Sequence, residues 1–230
     1  MKEIESLEKL LDEVGIKYNN EQLLLTALTH RSYLNEHHNI KEHNERLEFL
    51  GDAVLELVVT EYLYKNYKNP EGDLTNWRSA LVKTETISEV AKELGVEQYI
   101  LMSRGEAKSL GRSRQLILAN IFEAIIGSIY LEQGLDSAKK FIHEQLIVKL
   151  DKILSDKLYI DPKSLFQELV QDKEGITPYY EVIEEEGPDH DKLFTVGVFV
   201  GEKNWGEGKG PSKQAAQAGA AIKAIEKYKK

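Results

Sequence analysis

The sequence has no cysteine, few prolines and no long apolar run. The absence of cysteine excludes disulfides, thiolate zinc sites and a cysteine nucleophile. No apolar run approaches the roughly 18 residues that are needed to cross a bilayer, and the charged start of the chain lacks the apolar segment of a signal peptide. We therefore expect a cytoplasmic protein with no membrane partner.

Net positive charge is also missing. The formal net charge is −9, and both parts of a chain divided after Leu158 are acidic. Because nucleic-acid binders usually carry a basic surface, a nucleic-acid partner would depend on local basic patches or on a metal ion, and its binding would be salt-sensitive. With 41% apolar and 30% charged residues, the composition is that of an ordinary globular protein.

Residues 43–59, HNERLEFLGDAVLELVV, form the most informative segment. At helical spacing, Glu45, Glu48 and Asp52 share one face. A second face repeats apolar residues and is predicted to be buried; it carries Leu47, Leu50, Val54 and Leu57. Like charges beside a buried face repel each other, and loss of water increases that cost. A hard divalent cation would relieve it.

An ordinary solvated helix face is the alternative, but such faces usually carry basic partners one turn away. Here Arg46 is the only cation between Glu45 and Glu61, and it points about 100° away from Glu45. Gly51 stands within the same helix at a cost of about 1 kcal/mol relative to alanine. It therefore indicates close approach by another backbone.

The stretch NERLEFLGDAVL resembles the signature of the ribonuclease III family, the double-stranded-RNA endonucleases. A second stretch at 118–127, LANIFEAIIG, resembles the later metal-binding helix of that family. The C-terminal segment resembles its double-stranded-RNA-binding domain. The resemblance covers nearly the whole chain.

The pattern of elements predicts a multidomain α and α+β protein. The patterns over residues 1–153 predict an all-α domain with a loop at 69–73. Helices are predicted at 7–14, 21–28, 45–67, 74–83, 86–94, 116–133 and 137–154. A linker is expected at 154–160. Residues 161–230 show the order α-β-β-β-α, which is that of the double-stranded-RNA-binding domain.

Two helices are predicted to hold the metal. Phosphodiester hydrolysis needs an activated water and compensation for charge on the phosphate, and Mg²⁺ is held by a few oxygen ligands with waters left in place. Glu123 is set among apolar residues, which is unusual for an idle glutamate. The resemblance assigns metal ligation to Glu48, Asp52, Asn120 and Glu123, with Mn²⁺ as a substitute and no organic cofactor. It places Glu45 and Glu71 in the same cleavage site, with Asp52 and Glu123 at its centre.

Asn120 departs from the family, which has aspartate at this position. An amide oxygen can ligate Mg²⁺, but it carries no charge and accepts no proton from metal-bound water. We expect lower affinity and rate. A natural variant, an inactivating change and a binding protein without cleavage remain open explanations.

The second domain carries the RNA-binding prediction. A-form RNA exposes 2′-hydroxyls in its minor groove, where we expect Gln167 and His190, which matches the family's groove-entering loop, to bind. Lys209 and Lys213 are expected to contact phosphates near a helix N-terminus, with solvated lysines as the alternative. The family usually has further basic residues after Lys213, whereas this chain has QAAQ. Fewer cations predict modest affinity with a shallow salt dependence.

The expected function is Mg²⁺-dependent cleavage of double-stranded RNA to 5′-phosphate and 3′-hydroxyl products, in ribosomal precursor processing and mRNA turnover. Cutting both strands favours a homodimer, for which the resemblance places Phe49 in a pocket of the partner subunit; a plain core phenylalanine is the alternative. A non-cleaving double-stranded-RNA-binding protein is the main rival function. An all-α phosphohydrolase of small nucleotides is disfavoured by the C-terminal domain.

Overall fold

The computed structural model describes residues 20–188 and 192–228. It divides the chain into two compact units, 1–159 and 160–230. The helix predicted at 7–14 and the loop residue His190 lie outside the described residues.

The described part of the first unit has helices as its regular secondary structure, as predicted, together with one isolated β-bridge between Thr29 and Leu101. Its α-helices are α1 (Glu21–Leu28), α2 (Glu45–Asn66), α3 (Glu71–Val82), α4 (Thr84–Glu93), α5 (Gly111–Gln145) and α6 (Leu150–Ser155). Short 3₁₀ helices occupy Arg31–Asn35, Val96–Tyr99, Glu106–Lys108 and Ile147–Lys149. All six of these α-helices contribute to one apolar core.

The centre of this core is α5. Its middle turns are buried on nearly every side, through Ile121, Phe122, Ala124, Ile125 and Ile126. This explains why the stretch Gly111–Ser155 has the length of a membrane span and contains an 18-residue window with a mean hydropathy of 1.3. The expectation that no such run exists was wrong. A share of 61% of the apolar window is buried inside the protein, as in a core helix.

A break near residue 134 separates the two predicted helices at 116–133 and 137–154. Gly134 has φ of 80° and ψ of −176°, so it interrupts α5. A positive φ is accessible to glycine without the steric cost that a Cβ brings. The chain can therefore bend there while the apolar stripe continues toward Phe141 and Ile142.

Three predictions about local structure need correction. The predicted loop at 69–73 contains the start of α3, because Pro70 serves as its N-cap and the helix begins at Glu71. Leu57 is 55% exposed instead of buried, so the core face of α2 runs through Val54, Leu55 and Val58. Most of the predicted linker at 154–160 packs with the first unit, since α6 ends at Ser155 and Tyr159 contacts the core.

The second unit has the predicted order α-β-β-β-α. Its elements are α7 (Pro162–Glu174), β1 (Tyr179–Glu186), β2 (Leu193–Val200), β3 (Lys203–Gly210) and α8 (Lys213–Tyr228). The strands form one antiparallel sheet in the order β1-β2-β3. The predicted caps are present: Asp161 accepts hydrogen bonds from the backbone of Lys163 and Ser164, and Ser212 accepts one from Ala215.

Small residues bring β3 and α8 into direct contact. A Cβ at Gly208 would lie 2.2 Å from the carbonyl oxygen of Ala216, and one at Gly206 would lie 2.6 Å from that of Ala220. Alanines on α8 and valines on β2 then complete the core together with Phe166 of α7. This packing fixes the N-terminus of α8 beside the end of β3, where the predicted RNA-binding lysines stand.

Candidate active site and nucleic-acid interface

The two helices of the predicted metal site cross at a pair of glycines. A Cβ at Gly51 of α2 would lie 1.8 Å from the carbonyl oxygen of Glu123 on α5. A Cβ at Gly127 of α5 would lie 2.2 Å from the carbonyl oxygen of Leu47. The close backbone approach predicted from Gly51 is confirmed, and it brings the acidic residues of the two helices together.

Glu123 is the most strongly perturbed acid at this crossing. It is only partly accessible to solvent. Burial, and then the negative charges of Asp52 and Glu48, raise the pKa of Glu123 to about 8. A carboxyl with such a pKa holds a proton at neutral pH unless a positive charge displaces it. The site therefore favours a bound cation.

Glu48 and Asn120 meet across the same crossing. Burial raises the pKa of Glu48, and the charges of Glu45 and Asp52 raise it further. A side-chain hydrogen bond from Asn120 acts in the opposite direction and lowers it. The amide thus donates to the glutamate, an interaction that an ionised aspartate at this position would replace with repulsion.

The donor set fits a hard divalent cation. Glu48, Asp52 and Glu123 supply carboxylates and Asn120 supplies an amide oxygen, which are ligands of the kind that Mg²⁺ prefers. Within residues 20–188 and 192–228, none of the three carboxylates forms an ion pair with a basic side chain. In the same residues, no three Asp, Glu or His side chains already converge as a complete ligand group. Position 120 supplies an amide where a fourth carboxylate could stand.

Glu45 has a basic partner that the sequence reasoning missed. A guanidinium nitrogen of Arg31 lies 3.2 Å from a carboxylate oxygen of Glu45. The segment that carries Arg31 is held by the backbone of His30, which donates to Leu101, and by Ser32, whose hydroxyl accepts from the backbone of Ser103. Long-range loop contacts therefore place this cation, and no spacing along α2 could have indicated it.

Glu71 lies apart from the crossing within the first unit. It opens α3 and accepts a hydrogen bond of 2.9 Å from the Thr75 hydroxyl. It lines a cleft of about 600 Å³ together with Tyr64 and Arg78. It is not among the charges that raise the pKa of Glu48 or Glu123. Its role in cleavage stays a prediction.

Phe49 is 80% exposed and is not a core residue. It belongs to an apolar stripe on the outer face of α2, with Leu57 55% exposed and Tyr64 75% exposed. It also lines a cleft of about 910 Å³ whose walls include Leu23 and Leu131. An exposed aromatic beside an apolar cleft on the same surface has the composition of a self-complementary interface.

The predicted RNA-binding residues that the structure describes are all exposed: Gln167 on α7, Lys209 at the end of β3 and Lys213 at the start of α8. Both lysines already have acidic partners at the end of β1. The ammonium of Lys213 lies 3.1 Å from Glu185, and that of Lys209 lies 3.8 Å from Glu186. Neither of these contacts was predicted from the sequence.

Comparisons with known proteins agree with this two-unit arrangement. A family model for ribonuclease-III-like domains matches residues 20–150, and a model for the double-stranded RNA binding motif matches residues 162–228. Ribonuclease 3 from Streptococcus sanguinis strain SK36 is 43% identical over 227 residues, which cover 97% of each chain. Ribonuclease 3 from Streptococcus pneumoniae strain CGSP14 is 43% identical over 229 residues, covering 99% of this chain and 97% of that protein.

A solved structure extends the comparison to the helical unit. The nuclease domain of ribonuclease III from Campylobacter jejuni, described for structural flexibility in a region involved in dimer formation, is 42% identical with a TM-score of 0.54. The match covers 60% of this chain and 97% of that one. A helical nuclease unit followed by a double-stranded-RNA-binding unit defines an endoribonuclease of double-stranded RNA. The chain belongs to the ribonuclease III family.

Proposed function

We propose that this endoribonuclease requires Mg²⁺ and leaves 5′-phosphate and 3′-hydroxyl ends on double-stranded RNA. The observation that carries the proposal is the raised pKa of Glu123 beside Asp52 and Glu48 at a glycine-joined crossing. Three acids without basic partners in the described residues are stabilised when a divalent cation binds between them. Mn²⁺, which also accepts oxygen ligands, is the expected substitute.

Glu48, Asp52, Asn120 and Glu123 would hold the metal. When bound, Mg²⁺ supplies an activated water and compensates the charge on the phosphate. The carboxylates of Asp52 and Glu123 would orient the attacking water through hydrogen bonds, and one of the two would accept its proton. Asn120 supplies only a neutral oxygen, so we expect cleavage to be slower than with an acid there. Glu45, oriented by Arg31, would complete the acidic surface that faces the RNA, and Glu71 would contribute to cleavage from its separate position at the start of α3.

In the second unit, Gln167 and His190 would contact the minor groove, where 2′-hydroxyls identify RNA. Lys209 and Lys213 would contact phosphates beside the N-terminus of α8, where free N–H groups add attraction. The exposure of Gln167, Lys209 and Lys213 supports these roles. His190 lies outside the described residues, and its role rests on the resemblance.

We also propose a homodimer formed through the apolar stripe of α2. One centre cuts one strand, so two centres related by a two-fold axis would cut both. The exposure of Phe49 and the cleft that it lines support this arrangement, and the Campylobacter jejuni nuclease domain has a region involved in dimer formation. Ribosomal precursor processing and mRNA turnover in the cytoplasm are the proposed cellular tasks.

The test is cleavage of a long RNA duplex by the native protein, the Asn120→Asp variant and the Glu123→Gln variant. We expect Mg²⁺-dependent fragments from the native protein, faster cleavage by Asn120→Asp and loss of cleavage in Glu123→Gln, with the same products in Mn²⁺. End-labelling identifies the phosphate and hydroxyl termini. Duplex binding without fragments from either the native protein or Asn120→Asp would instead leave a binding protein that has lost cleavage.

A further inference from the structure

The lysines proposed to meet RNA phosphates are engaged by carboxylates of their own unit. Lys213 lies 3.1 Å from Glu185 and Lys209 lies 3.8 Å from Glu186. Both contacts cross the sheet from the end of β1 to the corner between β3 and α8. Two negative charges therefore stand where the proposed function requires phosphates.

The strand register explains why Glu185 and Lys213 meet. Glu185 pairs with Phe194 on β2, and Phe194 pairs with Gly210 on β3. Lys213 follows three residues after Gly210, and its ammonium lies 5.5 Å from the centre of the Phe194 ring. The sheet therefore presents an acidic side chain and an aromatic face to the same lysine. This arrangement follows from the fold and is not a chance meeting of long side chains.

The carboxylate that faces Lys213 remains charged at neutral pH. Hydrogen bonding to Lys213 lowers the pKa of Glu185, and the positive charges of Lys213 and Lys192 lower it further. The ammonium of Lys192 lies 3.6 Å from the other carboxylate oxygen of Glu185. All of these side chains are partly exposed, so the ion pairs are weak enough to open when a stronger ligand arrives.

We propose that Glu185 and Glu186 compete with RNA phosphates for Lys213 and Lys209, so that duplex binding requires two intramolecular ion pairs to open. The inference rests on the proposed phosphate contacts of these lysines. It predicts that a duplex opens both ion pairs, because its phosphates reach the two lysines while the rest of the duplex makes its other contacts with the unit. An isolated phosphate or a flexible single strand replaces the glutamates less well, because it lacks the additional contacts. The two glutamates thereby determine specificity for duplex RNA.

The experiment measures affinity for an RNA duplex and for the matching single strand, with the full chain in EDTA over a series of salt concentrations. Exchanging both glutamates, Glu185→Gln with Glu186→Gln, is expected to tighten duplex binding by about three- to tenfold at low salt. Single-strand binding should tighten by a larger factor, so that preference for the duplex declines. The gain should shrink as salt rises.

Two further variants separate local competition from overall charge. Exchanging Glu181 and Glu202 for Gln removes the same charge at exposed positions of this unit that form no ion pair in its described part. This control should leave affinity within about twofold of the native value. The glutamate exchange is then repeated with Lys209 and Lys213 also replaced by Gln. In this background we expect the gain in RNA affinity to disappear, because the two lysines for which the glutamates and the phosphates compete are absent.

A gain that persists without the two lysines, or that equals the gain of the control pair, would overturn the competition while leaving the proposed RNA contacts intact. If the lysine exchange alone leaves duplex affinity at its native value, the proposed phosphate contacts and the inference fall together. Thermal unfolding of each variant shows that the compared proteins are folded, and Glu→Gln exchanges at exposed sites are expected to preserve the unfolding temperature.

Discussion

The Cα atom of Gly51 faces the carbonyl oxygen of Glu123 so closely that a methyl group at position 51 would lie 1.8 Å from it. No flexible side chain can move aside, because the obstacle is the backbone of α5. Gly51→Ala must therefore separate the two helices that carry the acidic residues. The close helix approach that brings the acidic residues together therefore leaves no room for one added carbon atom at position 51.

We predict that Gly51→Ala lowers the free energy of unfolding of the first unit by about 3 kcal/mol or more, as in severe overpacking. Urea unfolding, followed by Trp77 fluorescence in a Trp205→Phe background, measures the change. Gly72→Ala on α3 is the matched control, since nothing lies within 4 Å of its added carbon. That control should be neutral or slightly stabilising, and equal losses from both variants would contradict the close approach.

The raised pKa of Glu123 predicts a pH dependence of stability in metal-free protein. This pKa is about 8 in the folded state against an ordinary 4.5, so between these values the folded state keeps a proton that the unfolded state has lost. The free energy of unfolding should fall as pH rises through this window, by at most about 1.4 kcal/mol per pH unit from this group. Above pH 8 the contribution levels off.

Glu123→Gln should remove most of this slope, leaving a smaller part from Glu48, whose pKa is also raised. Urea unfolding in EDTA between pH 5 and 9 measures it. Glu89→Gln, which changes an exposed carboxyl of α4, should retain the native slope. A native protein with no slope in this range would show that Glu123 is ionised without a metal.

Asn120→Asp is expected to have opposite effects on stability without and with Mg²⁺. Without metal, the variant loses the amide donor to Glu48 and gains a like charge, so the free energy of unfolding should fall by about 1–3 kcal/mol. With Mg²⁺, the added ligand charge should increase the stabilisation that metal binding provides. Thermal unfolding with and without the ion gives both values.

Asn39→Asp adds the same charge in an exposed loop and should show neither effect. If Mg²⁺ raises the unfolding temperature of native protein and Asn120→Asp by the same amount, position 120 does not contribute to the metal site.

Phe49→Asp should dissociate the proposed homodimer. The side chain is 80% exposed in a single chain, and losing a central aromatic anchor typically weakens association by 2 kcal/mol or more, about 30-fold in Kd. Sedimentation equilibrium over a range of concentrations measures the change. Leu110→Asp, at a residue that is 85% exposed before α5, should retain the native mass; a monomeric native protein would remove the prediction.

Local sequence patterns predicted the helices and strands better than they predicted the contacts between these elements. The helical period identified α2, and a lone glycine within it indicated the close approach to α5, because only backbone proximity makes that residue favourable. The alternation of apolar residues identified the three strands. In contrast, the start of α3 at Glu71 was missed, since Pro and Gly were read as loop residues although proline is also common at the beginning of a helix.

Ion pairs between distant segments could not be predicted from spacing. Arg31 reaches Glu45 only because the loop that carries it is held against Ser103. Glu185 reaches Lys213 only through the register of three strands. Such contacts depend on how elements pack, whereas periodicity reports only which residues share a face of one element.

The acids of the first unit come from helices that are far apart along the chain, and this has a consequence for synthesis on the ribosome. Glu48 and Asp52 emerge early, while Asn120 and Glu123 follow after some seventy more residues have been translated. Because domains generally fold as units, a nascent chain that ends before α5 carries only half of the residues that we propose to hold the metal. We therefore expect a prematurely released fragment to leave structured RNA uncut.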